Sequence, residues 1–370
     1  MPIKSEFPDV TPIDRALFEQ ALSACDRYAN DVALRIFVLH PPKNNSTDAV
    51  GVSVRDLAEL LSYPVDETYQ GERIQSRLHL ACLPYSSGTS GLQKGVMLSH
   101  HALSATLTHI ISSKSYYLLP NRDDHQLAFL PFFHIYGAAL AMLMLLEGVP
   151  QVTVSRFDPP IFLQLIQKYK VRMLFVVPPI IVFLTKHPLV DQFDLSSLRV
   201  IYTGAAPMGK DLSLAFIKRH PYVRYLLQLY GMTEHGVSHW SPPVTVDKVK
   251  HGSVGTLMAN YECKIINPET GDELVGARQV GEICLRCDSM MHGYLNQPEQ
   301  TAATIDQDAW LHTGDIGYYD EEGWLFIVDR LKELIKVGGF QVAPAELEDL
   351  LLQHESVHDA AVATQQRTRN

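Results

Sequence analysis

The segment from residue 85 to residue 95, YSSGTSGLQKG, carries the side chains best suited to chemistry. Its two glycines stand three residues apart among hydroxyl side chains, so the backbone N–H groups of such a loop can converge on an anion. Lys94 adds a positive charge suited to phosphate. The spacing fits neither a Walker A loop, nor a G-x-S-x-G nucleophile turn, nor an amidase-like Ser–Ser–Lys site. Because an apolar run enters the loop and a helix-like segment leaves it, an anion-binding loop is favoured over a flexible surface loop.

The elements around this loop alternate between strand and helix patterns. Short apolar runs predict buried strands over residues 173–177 and 199–203. Helices are predicted over residues 101–111, 160–169 and 208–219. Strands that alternate with helices favour parallel sheets that are covered on both faces.

After about residue 252 the pattern changes to short strands separated by turns. Strands are predicted over residues 263–266 and 280–285, and a hairpin over 317–328 around the turn DEEG. Pro344 is expected to open an amphipathic helix. The predicted fold class is α/β, with a large amino-terminal domain of layered parallel sheets with helices plus a small β-barrel-like subdomain. An incomplete small α+β carboxy-terminal domain is expected to follow.

Composition narrows the possible function classes. The 41 acidic residues outnumber the 31 basic ones, and no basic run is present, so nucleic acid is not an expected partner. Five cysteines in 370 residues argue against a disulfide framework and for a reducing compartment. The first ten residues lack the apolar core of a secretory signal, so none is expected.

Residues 127–146 carry no formal charge and form a stretch long enough to span a membrane. Pro131, His134 and Gly137 interrupt its first half, and no second apolar span accompanies it. A short buried strand, a turn and a buried helix therefore fit the stretch better. A membrane span is the minor alternative.

Cys284 and Cys287 form an isolated CxxC pair, a pattern that can bind a metal or act in redox chemistry. The two residues lie three positions apart on a predicted strand, so their side chains would point to opposite faces. No second pair complements them. Buried thiols are therefore favoured over a metal site.

Six motifs in a fixed order carry a family resemblance. They are YSSGTSGLQKGVMLSH, LPFFHIYG, TGAAPMG, QLYGMTEHG, WLHTGDIGY and VDRLKELIKVGGFQVAPAELE. Together they resemble the adenylate-forming superfamily of acyl-CoA synthetases, and most closely 4-coumarate–CoA ligase and its luciferase-like animal relatives. The resemblance covers about residues 80–362.

The resemblance implies an AMP-forming acid–CoA ligase. Such an enzyme joins a carboxylic acid, here an aryl or fatty acid, to the α-phosphate of ATP and then passes the acyl group to coenzyme A. ATP, Mg²⁺ and coenzyme A are the implied cofactors, and a small-molecule acid is the implied substrate. Since relatives are cytosolic or peroxisomal, a cytoplasmic location is expected, with a peroxisomal one as the alternative.

The resemblance also implies roles in nucleotide binding and catalysis. The residues matched to ATP or AMP are Ser86, Ser87, Gly88, Thr89, Ser90, Gly91, Lys94, Gln228, Tyr230, Gly231, Thr233, Asp315, Arg330 and Lys332. Among these, Tyr230 would stack on adenine, Asp315 would bind the ribose hydroxyls beside Arg330, and Lys332 would mark the hinge between domains. The residues matched to catalysis are Lys94, Thr233, Glu234, His134 and Lys336. Glu234 is also the implied Mg²⁺ ligand.

The acyl and coenzyme A sites are implied in the same way. His134, Tyr136, Gly204, Ala205 and Gly231 match positions around the acyl group, and Arg156, Ala206 and Gly339 match positions near coenzyme A. Each residue taken singly also has a structural alternative, such as a core histidine, a core tyrosine, a solvated loop acid or a structural Asp–Arg salt bridge.

The chain departs from the family pattern in several places. The family's amino-terminal subdomain is much longer than residues 34–80 provide, and its carboxy-terminal lysine has no counterpart before Asn370. Leu229 replaces a common glycine before Tyr230, and Gly338 replaces a common lysine. A second hypothesis is therefore a truncated, catalytically weak isoform that binds ATP or AMP, or associates with a full-length paralogue. A P-loop ATPase is the third.

Four units are expected along the chain. They are a shortened amino-terminal remnant over residues 1–79, an α/β adenylation core with the phosphate loop and acyl pocket over 80–251, a β-rich subdomain with the ribose-binding acid over 252–331, and an incomplete carboxy-terminal domain after the hinge over 332–370.

Overall fold

The computed structural model describes residues 3–4, 74–86, 93–113, 120–154, 156–241, 248–337, 340–352, 354, 357 and 360–363. The strands are β1 Ile3–Lys4, β2 Leu80–Cys82, β3 Tyr85–Ser86, β4 Lys94–Gly95, β5 Leu98–Ser99, β6 Gln126–Ala128, β7 Gln151–Thr153, β8 Met173–Val176, β9 Val200–Thr203, β10 Tyr225–Met232, β11 Gly236–Trp240, β12 Thr256–Leu257, β13 Tyr261–Ile266, β14 Glu273–Leu274, β15 Gly281–Cys287, β16 Leu311–Tyr319, β17 Leu325–Arg330, β18 Ile335–Val337 and β19 Phe340–Val342. The α-helices are α1 His100–Ser112, α2 Ile135–Glu147, α3 Pro159–Tyr169, α4 Pro178–Lys186, α5 Lys210–Arg219, α6 Pro298–Thr304 and α7 Pro344–Leu352. A 3₁₀ helix covers Pro188–Gln192.

A five-stranded sheet, in the order β12-β11-β10-β9-β8, forms the centre of the larger unit. Strands β8, β9 and β10 run parallel, and β11 and β12 extend the sheet in antiparallel fashion. Every residue of β8 (MLFV) and β9 (VIYT) is buried, as expected for strands covered on both faces. The strands predicted over residues 173–177 and 199–203 are confirmed to within one residue.

Two hydrophobic cores lie on opposite faces of this sheet. Met173 and Phe175 pack with side chains of α1 and α2, whereas Leu174 and Val176 pack with side chains of α3, α4 and α5. This alternation follows from the two-residue period of a strand. The three helices predicted around the sheet correspond to α1, α3 and α5 and are confirmed.

The uncharged stretch over residues 127–146 divides into β6 and α2. His134 caps the amino terminus of α2, and Gly148 ends the helix in a left-handed conformation with a φ of 68°. The expected strand, turn and helix are therefore confirmed. Within the described part of the chain, no helix has the length and apolar character that crossing a membrane would need.

The β-rich unit is an antiparallel sheet in the order β1-β13-β15-β16-β17, with β14 on the edge of β13. Among the described strands β1 and β17 do not pair with each other, so the sheet is open. The strands and the hairpin predicted after residue 252 correspond to β13, β15, β16 and β17. The β18–β19 hairpin and α7 follow, and α7 begins at Pro344 as expected. The molecule thus has the mixed helix-and-strand fold that the sequence predicts.

Candidate active site

A cavity of about 320 Å³ opens between α1, α2, the β10–β11 hairpin and the β16–β17 hairpin. Residues from several of the sequence motifs line it. These are Ser86, Lys94, His134, Tyr136, Ala205, Gly231, Thr233, Glu234, Arg330 and Lys332. The fold therefore brings signatures that are far apart in the sequence into one space.

The phosphate-loop motif meets this cavity through the short hairpin of β3 and β4. Ser86 pairs with Lys94 across the hairpin, and residues 87–92 between them lie outside the described part of the chain. The Ser86 Oγ is buried and has no hydrogen-bond partner among the described residues. Such a hydroxyl at a cavity wall is a donor that a ligand can satisfy.

Lys94 is held against Tyr294, a residue outside the six motif assignments. The Lys94 Nζ lies 4.7 Å from the centre of the Tyr294 ring, and the Tyr294 hydroxyl donates to Glu234 Oε1 over 3.0 Å. The backbone strengthens this connection, since Val96 forms a β-bridge with Tyr294. One aromatic side chain therefore positions both the positive and the negative group at this end of the cavity.

The charges at this end favour an anionic ligand. Lys94 is 6% exposed, and burial lowers the pKa of its ammonium. The positive charge of Lys332 lowers this pKa further, whereas Glu234 raises it. Two cations that face one cavity are stabilised by an anion between them, and the Thr233 hydroxyl lies in the same wall. The arrangement suits a polyanion such as a polyphosphate.

Tyr230, Asp315 and Arg330 form a second cluster beside the cavity. Arg330 lies opposite Asp315 in the β16–β17 pair, with Arg330 Nε 3.3 Å from Asp315 Oδ1. The Tyr230 hydroxyl donates to Asp315 Oδ2 over 2.6 Å. Burial raises the pKa of the Asp315 carboxyl, although Tyr230 and Arg330 both favour its ionised form. Of the three residues, only Arg330 lines the cavity. At the edge of the cavity, Tyr230 and Arg330 hold the Asp315 carboxylate from two sides.

The walls that α1, α2 and the β10–β11 hairpin give to the cavity are mostly apolar. They include Thr106, Ile110, Ala139, Leu140, Leu229, Val237 and Trp240. Leu229 and Trp240 are directly paired across β10 and β11. A Cβ added to Gly204 would lie 2.5 Å from Leu229 Cδ1, so this glycine leaves room for the leucine. Leucine at position 229 therefore fills space that a glycine there would leave open.

His134 is an exposed residue that lines the cavity at the amino terminus of α2. Its Nδ1 accepts a hydrogen bond from the Tyr136 backbone N–H over 3.1 Å, and burial lowers the pKa of the imidazole. Both observations describe a neutral ring with its proton on Nε2. The Tyr136 hydroxyl is directed toward the Val176 carbonyl at 3.5 Å. His134 can thus donate a hydrogen bond at this position but contributes no charge at neutral pH.

Two small residues of the site are constrained by the backbone. Gly231 lies next to an irregularity in the β10–β11 pairing, where an added Cβ would come within 2.3 Å of the Gly236 carbonyl oxygen. Ala205 lines the cavity with a φ of 70°, a left-handed conformation that costs a non-glycine residue about 1 kcal/mol. Strained positions of this kind concentrate at functional sites.

Other predicted residues lie away from the cavity. The Gln228 side chain is hydrogen bonded to both the N–H and the carbonyl of Met208 over 3.1 Å each, which indicates a structural role. Gly204 does not line the cavity either, and Arg156 and Ala206 are exposed outside it. Some predictions fall outside the described part of the chain, namely those on Ser87, Gly88, Thr89, Ser90, Gly91, Gly339 and the Lys336 side chain. The predicted coenzyme A contacts therefore stay predictions.

Comparison with known proteins agrees with this geometry. The chain matches the family described as AMP-binding enzyme over residues 14–295. It is 46% identical over 304 residues to 4-coumarate–CoA ligase 1 of Petroselinum crispum, covering 80% of this chain and 55% of that relative. It is 48% identical over 290 residues to 4-coumarate–CoA ligase 2 of Nicotiana tabacum, covering 76% of this chain and 53% of that relative. The chain thus spans about half the length of these curated relatives.

Solved structures show the same relationship. O-succinylbenzoate coenzyme A synthetase from Bacillus subtilis, in complex with AMP, has a TM-score of 0.69 and 30% identity, covering 85% of this chain and 62% of that one. The chain belongs to the AMP-binding enzyme family, within the adenylate-forming superfamily that its motifs resemble. Its sequence relatives are acyl-CoA synthetases of the 4-coumarate–CoA ligase group.

Proposed function

We propose that the chain is an AMP-forming acid–CoA ligase that activates an aryl or fatty carboxylic acid. The observation that carries the proposal is one cavity that is lined both by the charged Lys94 and Glu234 and by the apolar Leu140, Leu229 and Trp240. A polyanion and an acyl group can meet in such a space. The names of the relatives, which are 4-coumarate–CoA ligases, support the same activity.

In the first half-reaction, a carboxylate oxygen of the acid attacks the α-phosphorus of ATP. The bond from this phosphorus to the oxygen that bridges to the β-phosphate breaks, and pyrophosphate leaves with that electron pair. Lys94 and Lys332 face the place where negative charge accumulates, and Thr233 can donate to the α-phosphate. Ser86 begins the cradle for the β- and γ-phosphates, which we propose to continue through residues 87–91.

Glu234 fits a magnesium ligand by the chemistry of its donor atoms and by its position. Its carboxylate lines the cavity, and Tyr294 occupies one oxygen, so a second oxygen remains to serve as a hard ligand. When bound with ATP, Mg²⁺ would neutralise part of the phosphate charge. Tyr294 orients the carboxylate for this role.

The nucleoside and the second half-reaction follow the family pattern. We propose that Asp315 accepts from the ribose hydroxyls while Tyr230 and Arg330 hold it in place, with the Tyr230 ring near adenine. The thiol of coenzyme A then loses its proton to solvent as its sulfur attacks the acyl carbon, the bond from this carbon to the phosphate oxygen breaks, and AMP leaves with that electron pair. Lys336 and the hinge at Lys332 are proposed for this step.

The remaining sequence assignments are proposals of the same kind. His134, Tyr136, Gly204, Ala205 and Gly231 are proposed around the acyl group. Arg156, Ala206 and Gly339 are proposed to contact coenzyme A. The four units bounded at residues 79, 251 and 331 remain a proposal for the domain organisation. A reaction that consumes ATP and coenzyme A is consistent with a cytoplasmic location, or alternatively with a peroxisomal one.

Pyrophosphate release by the full chain tests the proposed function. With Mg·ATP, coenzyme A and a panel of cinnamic and fatty acids, we expect pyrophosphate in amounts equal to the acyl-CoA formed, and none without acid. Lys94→Met should lower kcat/KM by about 100-fold or more, because it removes a positive charge from the site where charge develops. Lys218→Met, which changes an exposed lysine of α5, is the matched control and should have no effect.

Two results would contradict the proposal. Free phosphate in place of pyrophosphate would identify an ATPase. Binding of ATP or AMP without turnover of any acid would support the second hypothesis, a catalytically weak form that binds nucleotide or associates with a full-length paralogue.

A further inference from the structure

Glu282, Cys284 and His312 converge on the face of the antiparallel sheet that borders the cavity. Cys284 on β15 lies directly opposite His312 on β16, and Glu282 lies two residues before Cys284, so all three share one face. The Cys284 Sγ lies 3.6 Å from His312 Nδ1, and the Glu282 Oε2 lies 3.2 Å from the same nitrogen. The three ligand-type atoms all lie within 4.8 Å of one another.

Two of the three separations match edges of a tetrahedral zinc site. With Zn–S of about 2.3 Å and Zn–N and Zn–O of about 2.0 to 2.2 Å, a tetrahedral angle places S and N about 3.6 Å apart and N and O about 3.4 Å apart. The two distances in this structure are 3.6 and 3.2 Å. These two edges therefore need little change to accept an ion.

Further groups hold two of these side chains in a ligand orientation. The Asp306 Oδ2 lies 3.5 Å from His312 Nε2, the ring nitrogen that does not face the cluster. The Gly314 N–H donates to Glu282 Oε1 over 3.1 Å, which leaves Oε2 directed at His312. A carboxylate behind a histidine ligand and a hydrogen bond to a ligating carboxylate are the usual outer contacts of a zinc site.

We propose that Glu282, Cys284 and His312 bind one Zn²⁺ ion, with a fourth coordination position open toward the cavity. A thiolate, an imidazole and a carboxylate together suit zinc, whereas Mg²⁺ and Ca²⁺ prefer oxygen ligands alone. Glu282 and His312 line the cavity, so an ion has a route of entry. This site is separate from the Mg²⁺ ligand proposed at Glu234 and does not depend on the ligase activity.

Binding requires the Cys284 thiol to lose its proton to solvent as the sulfur–zinc bond forms. Burial raises the pKa of this thiol, and so does the negative charge of Glu282. Lys264, which is paired with Cys284 across β13 and β15, has the opposite effect.

Equilibrium dialysis of the full, tag-free chain against ZnCl₂, after treatment with EDTA, tests the site. We expect one equivalent of zinc in the unmodified chain, and a loss of this equivalent in Cys284→Ser. Cys287→Ser is the matched control, because this second thiol hydrogen bonds with Ser289 instead and belongs to a different packing cluster. Asp306→Asn should weaken binding by about 10-fold, the lower end of the effect of an outer-shell change.

Cobalt(II) provides a second readout that separates loss of binding from loss of folding. The cobalt-loaded chain should show a thiolate-to-metal charge-transfer band, which Cys287→Ser keeps and Cys284→Ser loses. The metal-free melting temperature of each variant shows whether it is folded. Zinc binding that survives unchanged in both Cys284→Ser and His312→Gln, or no zinc equivalent in the unmodified chain, would overturn the proposal.

Discussion

The buried imidazole of His109 should make the folded chain less stable in mild acid. It lies on α1 with 0% exposure, packs edge-on against Tyr261 at 5.1 Å, and neither ring nitrogen has a hydrogen-bond partner among the described residues. Burial lowers the pKa of this imidazole to about 4, with Asp288 acting in the opposite direction. In the unfolded chain a histidine has a pKa near 6.5. The contribution of this pKa difference to the free energy of unfolding is therefore complete above that pH.

The magnitude follows from the two pKa values. Between pH 6.5 and pH 4 the unfolded chain binds a proton that the folded chain excludes, so the free energy of unfolding falls as the pH falls. Relative to pH 7.5, the loss at pH 5 from His109 alone is about 2 kcal/mol. The other buried histidines add to the total loss of stability. Because a variant of His109 keeps all of them, their effect cancels when the variant is compared with the unmodified chain.

Urea unfolding at pH 7.5 and pH 5.0 measures this contribution. His109→Phe keeps an aromatic ring against Tyr261 and removes the titrating group. The unmodified chain should therefore lose about 2 kcal/mol more than the variant between the two pH values. His292→Gln, which changes an exposed histidine, is the control. Equal losses in the unmodified chain and His109→Phe would show that this imidazole is not excluded from protonation.

Three further predictions concern the cavity. Gly231→Ala should destabilise the fold by about 1 to 3 kcal/mol, because its Cβ would meet backbone atoms of β11. Gly95→Ala, whose Cβ would make contacts of 3.5 Å or more, should lower the melting temperature much less. Tyr230→Phe removes a donor from buried Asp315, so AMP affinity measured by calorimetry should fall about 10-fold, and an unchanged affinity would exclude Asp315 from the nucleotide site. Leu229→Gly should raise the kcat/KM ratio of bulky over small acids by about 10-fold, and no change would place the acyl group elsewhere.

The sequence predicts the local elements of this fold well. The apolar runs of β8 and β9 and the proline at the start of α7 indicate structure through neighbours that are close in the chain. Motif order then groups Lys94, Thr233 and Glu234 in one site, and all three line one cavity.

The sequence does not predict the place of Tyr294 in the site, because its partners are distant in the sequence. Its ring contacts Lys94, and its hydroxyl donates a hydrogen bond to Glu234. No sequence pattern around position 294 indicates either contact. Trp240 was missed for a similar reason, since its place in the cavity depends on its pairing with Leu229. Contacts of this kind depend on strand register, which residue spacing within one segment does not specify.

The CxxC pair shows both the success and the limit of spacing. Cys284 and Cys287 fall in different packing clusters, in agreement with the opposite faces predicted from a three-residue separation. The same spacing gave no indication of His312, which reaches Cys284 only through the pairing of β15 with β16. The sequence alone therefore does not indicate this potential ligand set, because only the pairing of the two strands brings the three side chains together.

Consecutive residues of strand β10 contact two different parts of the candidate site. Leu229 lines the apolar part of the cavity, and the Tyr230 hydroxyl donates to the buried carboxylate of Asp315. Under the proposed function, replacement of Leu229 would change which acids fit and would leave the hydrogen bond from Tyr230 to Asp315 in place. Gain or loss of a single residue within the strand would instead move each side chain that follows to the other face of the sheet, so this part of the site should tolerate a replacement better than a change of strand length.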